Sequence, residues 1–147
     1  MRKTQLLSID PSVTTPYAAL LLRLTLGVVF IAHGLFKTNA LGMPATMAFF
    51  EEHGFPGWTA WPVTAVELFG GLALVLGIFP RVAALALIPV MLGAFTVHWP
   101  NGWYFGAPNG GWEFIAVLTA ALVAQAGLGS GAHALGSYVH AWRSGTP

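Results

Sequence analysis

The chain contains no cysteine. That absence excludes a disulfide framework, a thiol nucleophile, a CxxC redox pair and any cluster or zinc site held by thiolates. A redox role would therefore use a bound cofactor or a diffusible one such as a quinone. Charge is nearly as scarce. Only 7% of the 147 residues are Asp, Glu, Lys or Arg, against roughly a quarter in soluble domains. A soluble fold of this size could not cover its surface with so few charges. The net charge of +1 argues against nucleic acid as a partner, because phosphate binding needs clustered Lys and Arg.

What the chain has in abundance is apolar sequence, 56% hydrophobic with a mean hydropathy of +0.70. Four apolar segments, 17–36, 58–79, 82–99 and 112–128, each come near the roughly 20 residues that a membrane helix needs. They predict an all-α fold, an integral membrane four-helix bundle over residues 17–129. A segment 1–16 precedes it and a tail 130–147 follows. Arg2 and Lys3 resemble the start of a signal peptide, but Asp10, Pro11 and Pro16 interrupt before the apolar run, so that run reads as a span. The long first link, 37–57, sets Met43, Met47, Phe49 and Phe50 against Glu51, Glu52 and His53. This pattern predicts a short helix lying at the membrane interface. Arg2, Lys3, Arg81 and Arg143 fall on one side of a four-span topology, with Lys37 opposite. The positive-inside rule then makes both termini cytoplasmic.

Two charges lie inside the apolar segments, Arg23 and Glu67. A charge at the bilayer centre costs about 3 kcal/mol on insertion scales, so it usually carries function or has a fixed partner. Counting 1.5 Å per residue from the outer helix ends leaves an axial gap of roughly 6 Å between them. An Arg23–Glu67 ion pair is the expectation, either as part of a site or as a lock between helices; Glu67 tipping towards His33 is the alternative. Arg23, Gly27, Phe30, Gly34 and Lys37 step by four or three along one face, as do Glu67, Gly71 and Leu74. Small residues let membrane helices approach closely, so the charged face should also be the packed face. Pro89 should bend the third span below His98.

Around these two charges the topology gathers His33, Lys37, His98 and Glu113 at the outer side, with Trp58, Trp61, Trp99, Trp103, Tyr104 and Trp112. Each has a plainer alternative. The aromatics suit an interfacial belt, or a platform for a flat ligand. Glu113 suits a helix start. His33 and His98 suit the interface; a haem could bridge them, but nothing in the spacing calls for one. His53, His133 and His140 read as loop or tail residues.

Arg23 and Gly27, His33-Gly34-x-x-Lys37, Glu67-x-x-Gly70-Gly71, Gly77, Arg81, Gly111-Trp112-Glu113 and Gly127-x-Gly129 occur in an order that resembles the DoxX family of small four-helix membrane proteins. The resemblance spans roughly 17–130. It implies a membrane bundle of a family associated with oxidoreductases and quinone-linked chemistry, without defining a reaction. The tail, Ser130-Gly131-Ala132-His133, departs from the Ser-Leu-Asp ending frequent in the family.

Two functions follow. The first is a quinone-linked oxidoreductase, or a subunit of one, holding a quinone in the outer half of the bilayer. Glu67, Arg23 and His33 would act on it, and Lys37, His98, Glu113, Trp61 and Trp103 would bind it. No built-in redox centre is legible, so electrons would come from a partner subunit or directly from a substrate. The second is a non-enzymatic scaffold or small-molecule transporter, acting as a homo-oligomer in the transporter case, with Arg23–Glu67 as a helix lock. Either places the chain in the cell membrane.

Overall fold

Helix α1, Pro11–Leu35, starts where Asp10 accepts a hydrogen bond from the Ser12 N–H, a side-chain cap followed by proline in the first turn. The computed structural model describes residues 10–137. Arg2, Lys3, His140, Trp142 and Arg143, which carry part of the orientation and tail expectations, lie outside the described residues. α1 thus begins before the apolar run itself, because Asp10 and Pro11 act as start signals rather than as breaks.

At its far end α1 does not stop at Leu35. A π-helical segment, Phe36–Leu41, carries the same line onward to Gly42, whose φ of +83° turns the chain at a value glycine adopts without strain. The Thr46 hydroxyl ties this corner by donating to the carbonyls of Lys37 and Gly42. Helix α2, Met43–Glu52, follows and is the short helix expected in the first link. Helix α3, Ala60–Leu76, ends at Gly77 in the left-handed region, and α4, Pro80–His98, begins after a three-residue turn. Helix α5 is Glu113–Leu128.

Every described element is helical. Three stretches, Pro11–Leu41, Gly57–Leu76 and Pro80–Asn101, are long and apolar enough to cross a membrane; Glu113–Leu128 is apolar but shorter. α1 packs on α3, α3 on α4, α4 on α5, and α5 returns to α1, while α2 lies against α3. The shared core is Leu26, Phe30, Leu74, Leu87 and Leu122, each 1% exposed or less.

The α1–α3 seam is built on glycine, as the small-residue faces predicted. A methyl group on Gly27 would lie 2.7 Å from the Gly71 carbonyl, and one on Gly71 would lie 2.8 Å from the Gly27 carbonyl. The two backbones therefore meet directly, and van der Waals packing between small residues holds membrane helices together where lipid supplies no hydrophobic drive. This seam sets the axial register between the helices, and hence which charges can meet.

Candidate functional site

The expected Arg23–Glu67 pair does not form. Glu67 instead accepts from the Lys37 ammonium with both carboxylate oxygens, each at 2.6 Å. The cause is register. α1 and its π-helical continuation reach Leu41, five residues beyond the helix end used to place Arg23. At 1.5 Å per residue this roughly doubles the axial gap to Glu67, to about 13 Å. Lys37, three residues past Gly34 on the same face, reaches back to Glu67 across the seam. Glu67 is 2% exposed and Lys37 20%.

Arg23 lies at the opposite end of the seam, level with the α3–α4 turn. It is 1% exposed, and its two terminal nitrogens donate to four backbone carbonyls. Nη1 reaches Leu74 (2.9 Å) and Val75 (2.6 Å); Nη2 reaches Ala132 and His133 (3.0 Å each). Leu74 and Val75 are in the last turn of α3, whose carbonyls carry the negative end of the dipole; Leu74 O also accepts from the Gly77 N–H. Gly77 leaves room for the guanidinium, since a methyl group there would lie 3.0 Å from Cζ. Arg23 thereby binds α1 to the end of α3 and to the chain after α5. Two further bonds hold that returning segment, Ala132 N–H to Pro16 O and Gly136 N–H to Gly77 O. A side chain so enclosed is a structural clasp.

The Lys37–Glu67 pair, by contrast, faces a cavity of about 550 Å³. Its wall is drawn from the end of α1, from α2, α3 and α4, and from the start of α5. Six phenylalanines line it, Phe36, Phe49, Phe50, Phe55, Phe105 and Phe114. His33 and His98 line it as expected. His33 stacks on Phe114 with ring centroids 6.4 Å apart, and His98 holds the Gly110 carbonyl. Gly93 also lines it, with nothing within 4 Å of the position a side chain would take.

Three expected ligand contacts lie elsewhere. Trp61 is not in the cavity wall and is exposed on the outside of α3. Trp103 packs edge-on against Trp112, centroids 4.5 Å apart, in a cluster with Trp99 and Phe95. Those rings pack on one another outside the cavity wall. Glu113 accepts from the Phe105 N–H at 3.3 Å, closing the loop before α5.

Conversely, Thr46, Thr59 and His53 line the cavity and were not expected there. A signal for two of them exists on α2, where Thr46, Phe49, Phe50 and His53 fall at i, i+3, i+4 and i+7, one helical face. Among the described residues no three His, Asp or Glu side chains come together to hold a metal ion.

The family model for DoxX matches residues 18–99 of this chain. The chain belongs to the DoxX family. It is also 31% identical over 108 residues to the putative oxidoreductase CatD of Bacillus subtilis (strain 168), an alignment covering 74% of this chain and 78% of that relative. No solved structure matches it. Arg23 and the Lys37–Glu67 pair fall inside the DoxX match, whereas Glu113, the whole of α5 and the Ala132 and His133 carbonyls that Arg23 holds lie beyond it.

Proposed function

We propose that this DoxX chain is a four-span protein of the cell membrane, with both termini cytoplasmic, that binds a quinone or a similar flat, lipid-soluble molecule as a quinone-linked oxidoreductase or a subunit of one. The observation that carries the reading is the one ion pair among the described residues, Lys37–Glu67, with Glu67 buried, at the wall of a largely apolar and aromatic cavity. Ligand sites of this size are mostly apolar, with a few polar groups that fix orientation. The aromatic wall suits a ring, and Lys37 and Glu67 suit its oxygen atoms and their protons. α5 runs along α4 and α1, which supports its being the fourth span. Arg81 at the α3–α4 turn, with Lys37 as the cation of the cavity end, supports a cytoplasmic turn and an outer cavity. The electrons come from a partner subunit or from a second substrate.

The test is mass spectrometry of small molecules extracted from the purified protein, followed by calorimetric titration with a short-chain quinone. Retention and saturable binding by the native protein, with weakened binding in Lys37→Met/Glu67→Leu, is the expected result. A second reading has its own observation: Lys37–Glu67 joins α1 to α3 beside the glycine seam, so it could be only a lock in a scaffold or transporter. Undiminished binding in the double variant would favour that reading of the pair. A native protein that binds no quinone would exclude the first.

A further inference from the structure

The hydrogen positions around the cavity have a consequence for what it accepts. Seven polar side chains line it, and five of them have already committed a hydrogen to the backbone. His33 Nδ1 donates to Val29 O (2.8 Å), His53 Nδ1 to Phe49 O (2.8 Å) and His98 Nδ1 to Gly110 O (3.1 Å). Thr46 Oγ1 donates to Lys37 O and Gly42 O, and Thr59 Oγ1 to Pro56 O at 2.6 Å. A carbonyl oxygen can only accept, so in each neutral imidazole the hydrogen is on Nδ1 and Nε2 keeps a lone pair. Each threonine hydroxyl has one hydrogen, already engaged, and lone pairs to offer.

The remaining two side chains are Lys37 and Glu67. The ammonium has three hydrogens, of which the Glu67 oxygens take two. The carboxylate retains further lone pairs. Among its side chains the wall therefore offers many acceptors and one spare donor, that of Lys37.

A quinone has two carbonyl oxygens and no donor, so among these side chains it can use only the Lys37 hydrogen. The corresponding hydroquinone has the same ring and two hydroxyls, each able to donate. Unmatched acceptors that lose water to an apolar ligand are costly, and matched ones are not.

We infer that the cavity selects the reduced, hydroxyl-bearing form of an aromatic ligand, a hydroquinone, over the oxidised quinone. The inference rests on the quinone-site reading above and adds to it the redox state of the bound molecule. No electron transfer is required for the selection; it is a matter of hydrogen-bond complementarity.

Three small molecules sharing one ring test this against the full chain in detergent, by anaerobic calorimetric titration. They are tetramethyl-benzoquinone, its hydroquinone, and the dimethyl ether of that hydroquinone. The hydroquinone should bind at least about tenfold more tightly than the quinone, the effect of a net gain of one or two hydrogen bonds. The dimethyl ether, which has the oxygens but no hydrogens, should bind no better than the quinone. Equal affinities for quinone and hydroquinone, or an ether that matches the hydroquinone, would overturn the selection while leaving a quinone site standing. Binding of none of the three would overturn both.

Discussion

Two cations on one face of α1 and its π-helical continuation meet opposite fates. Arg23 is enclosed by four carbonyls at one end of the α1–α3 seam. Lys37 meets a carboxylate at the other end, beside open space. A guanidinium presents its hydrogens as a rigid planar fork and suits several fixed acceptors at once; an ammonium on a flexible stem suits one partner and can be rearranged. The first arrangement commits both terminal nitrogens to the backbone, and the second leaves a polar pair in an apolar chamber. A charge in a membrane helix is therefore a clue to function only after its partners have been counted.

The largest expected effect breaks the Arg23 end. Arg23→Met removes the donor to four carbonyls, one bond buried and three part-buried, and should cost about 3 kcal/mol of stability, since each buried acceptor left unsatisfied costs about 1–3 kcal/mol. Arg23→Lys should recover only part of it, because one ammonium cannot reproduce the fork. Denaturant unfolding in detergent measures both. Ligand affinity in whatever fraction stays folded should be unchanged, and a specific loss of binding would make Arg23 part of the site.

Breaking the Lys37 end should cost less and couple differently. Glu67→Leu alone should destabilise by about 2 kcal/mol, discounted from the fully buried case because Lys37 keeps some solvent access. Adding Lys37→Met should return most of that stability, since two apolar residues replace a pair. It should not return binding. A double variant as unstable as the sum of the singles would contradict this picture.

The seam between the two ends is the next target. Gly27→Ala places a methyl group 2.6 Å from Val75 and 2.7 Å from the Gly71 carbonyl, and overpacking of this kind costs about 1–3 kcal/mol. Moving the helices apart should also lengthen the Lys37–Glu67 contact, so binding and stability should fall together. Gly93→Leu separates them. It enters open space at the cavity wall and replaces glycine inside a helix, so stability should hold or rise by up to about 1 kcal/mol, while ligand affinity drops.

The smallest effect is at the start of α1. The Ser12 N–H holds the Asp10 carboxyl below the usual aspartate range. A lowered folded-state value means that the carboxylate stabilises the helix start above its unfolded value and that this is lost as pH falls through the folded one. Asp10→Asn keeps a capping oxygen at every pH. The stability difference between native protein and Asp10→Asn should therefore shrink on acidification through the aspartate range. A difference independent of pH would remove the carboxylate from the cap.

Much of this was legible from residue order. The α1 face running from Arg23 through Gly27, Phe30 and Gly34 to Lys37 is the seam face, and Glu67 and Gly71 oppose it on α3. The amphipathic pattern before Gly57 marked α2. His33, Lys37, Glu67 and His98 were expected at one site, and all four line one cavity. The pairing was not legible, because an axial depth depends on where each helix ends. A π-helical extension past Leu35 has no apolar signature to announce it. The place of the tryptophans was not legible for a related reason: Trp61 and Trp103 suit a ligand platform and a membrane surface equally well by composition, and only the fold sets them outside the cavity wall. The cavity took phenylalanines instead.

Composition and periodicity alone determined that this is a helical, membrane-type chain with a small-residue seam and buried charge, since scarcity of charge and spacing by three and four are properties of the chain itself. Tertiary structure decided which partner each charge takes, because that depends on register between helices distant in sequence. It also decided where the hydrogens of His33, His53, His98, Thr46 and Thr59 point, since a side chain's free lone pair is known only once its carbonyl partner is in place.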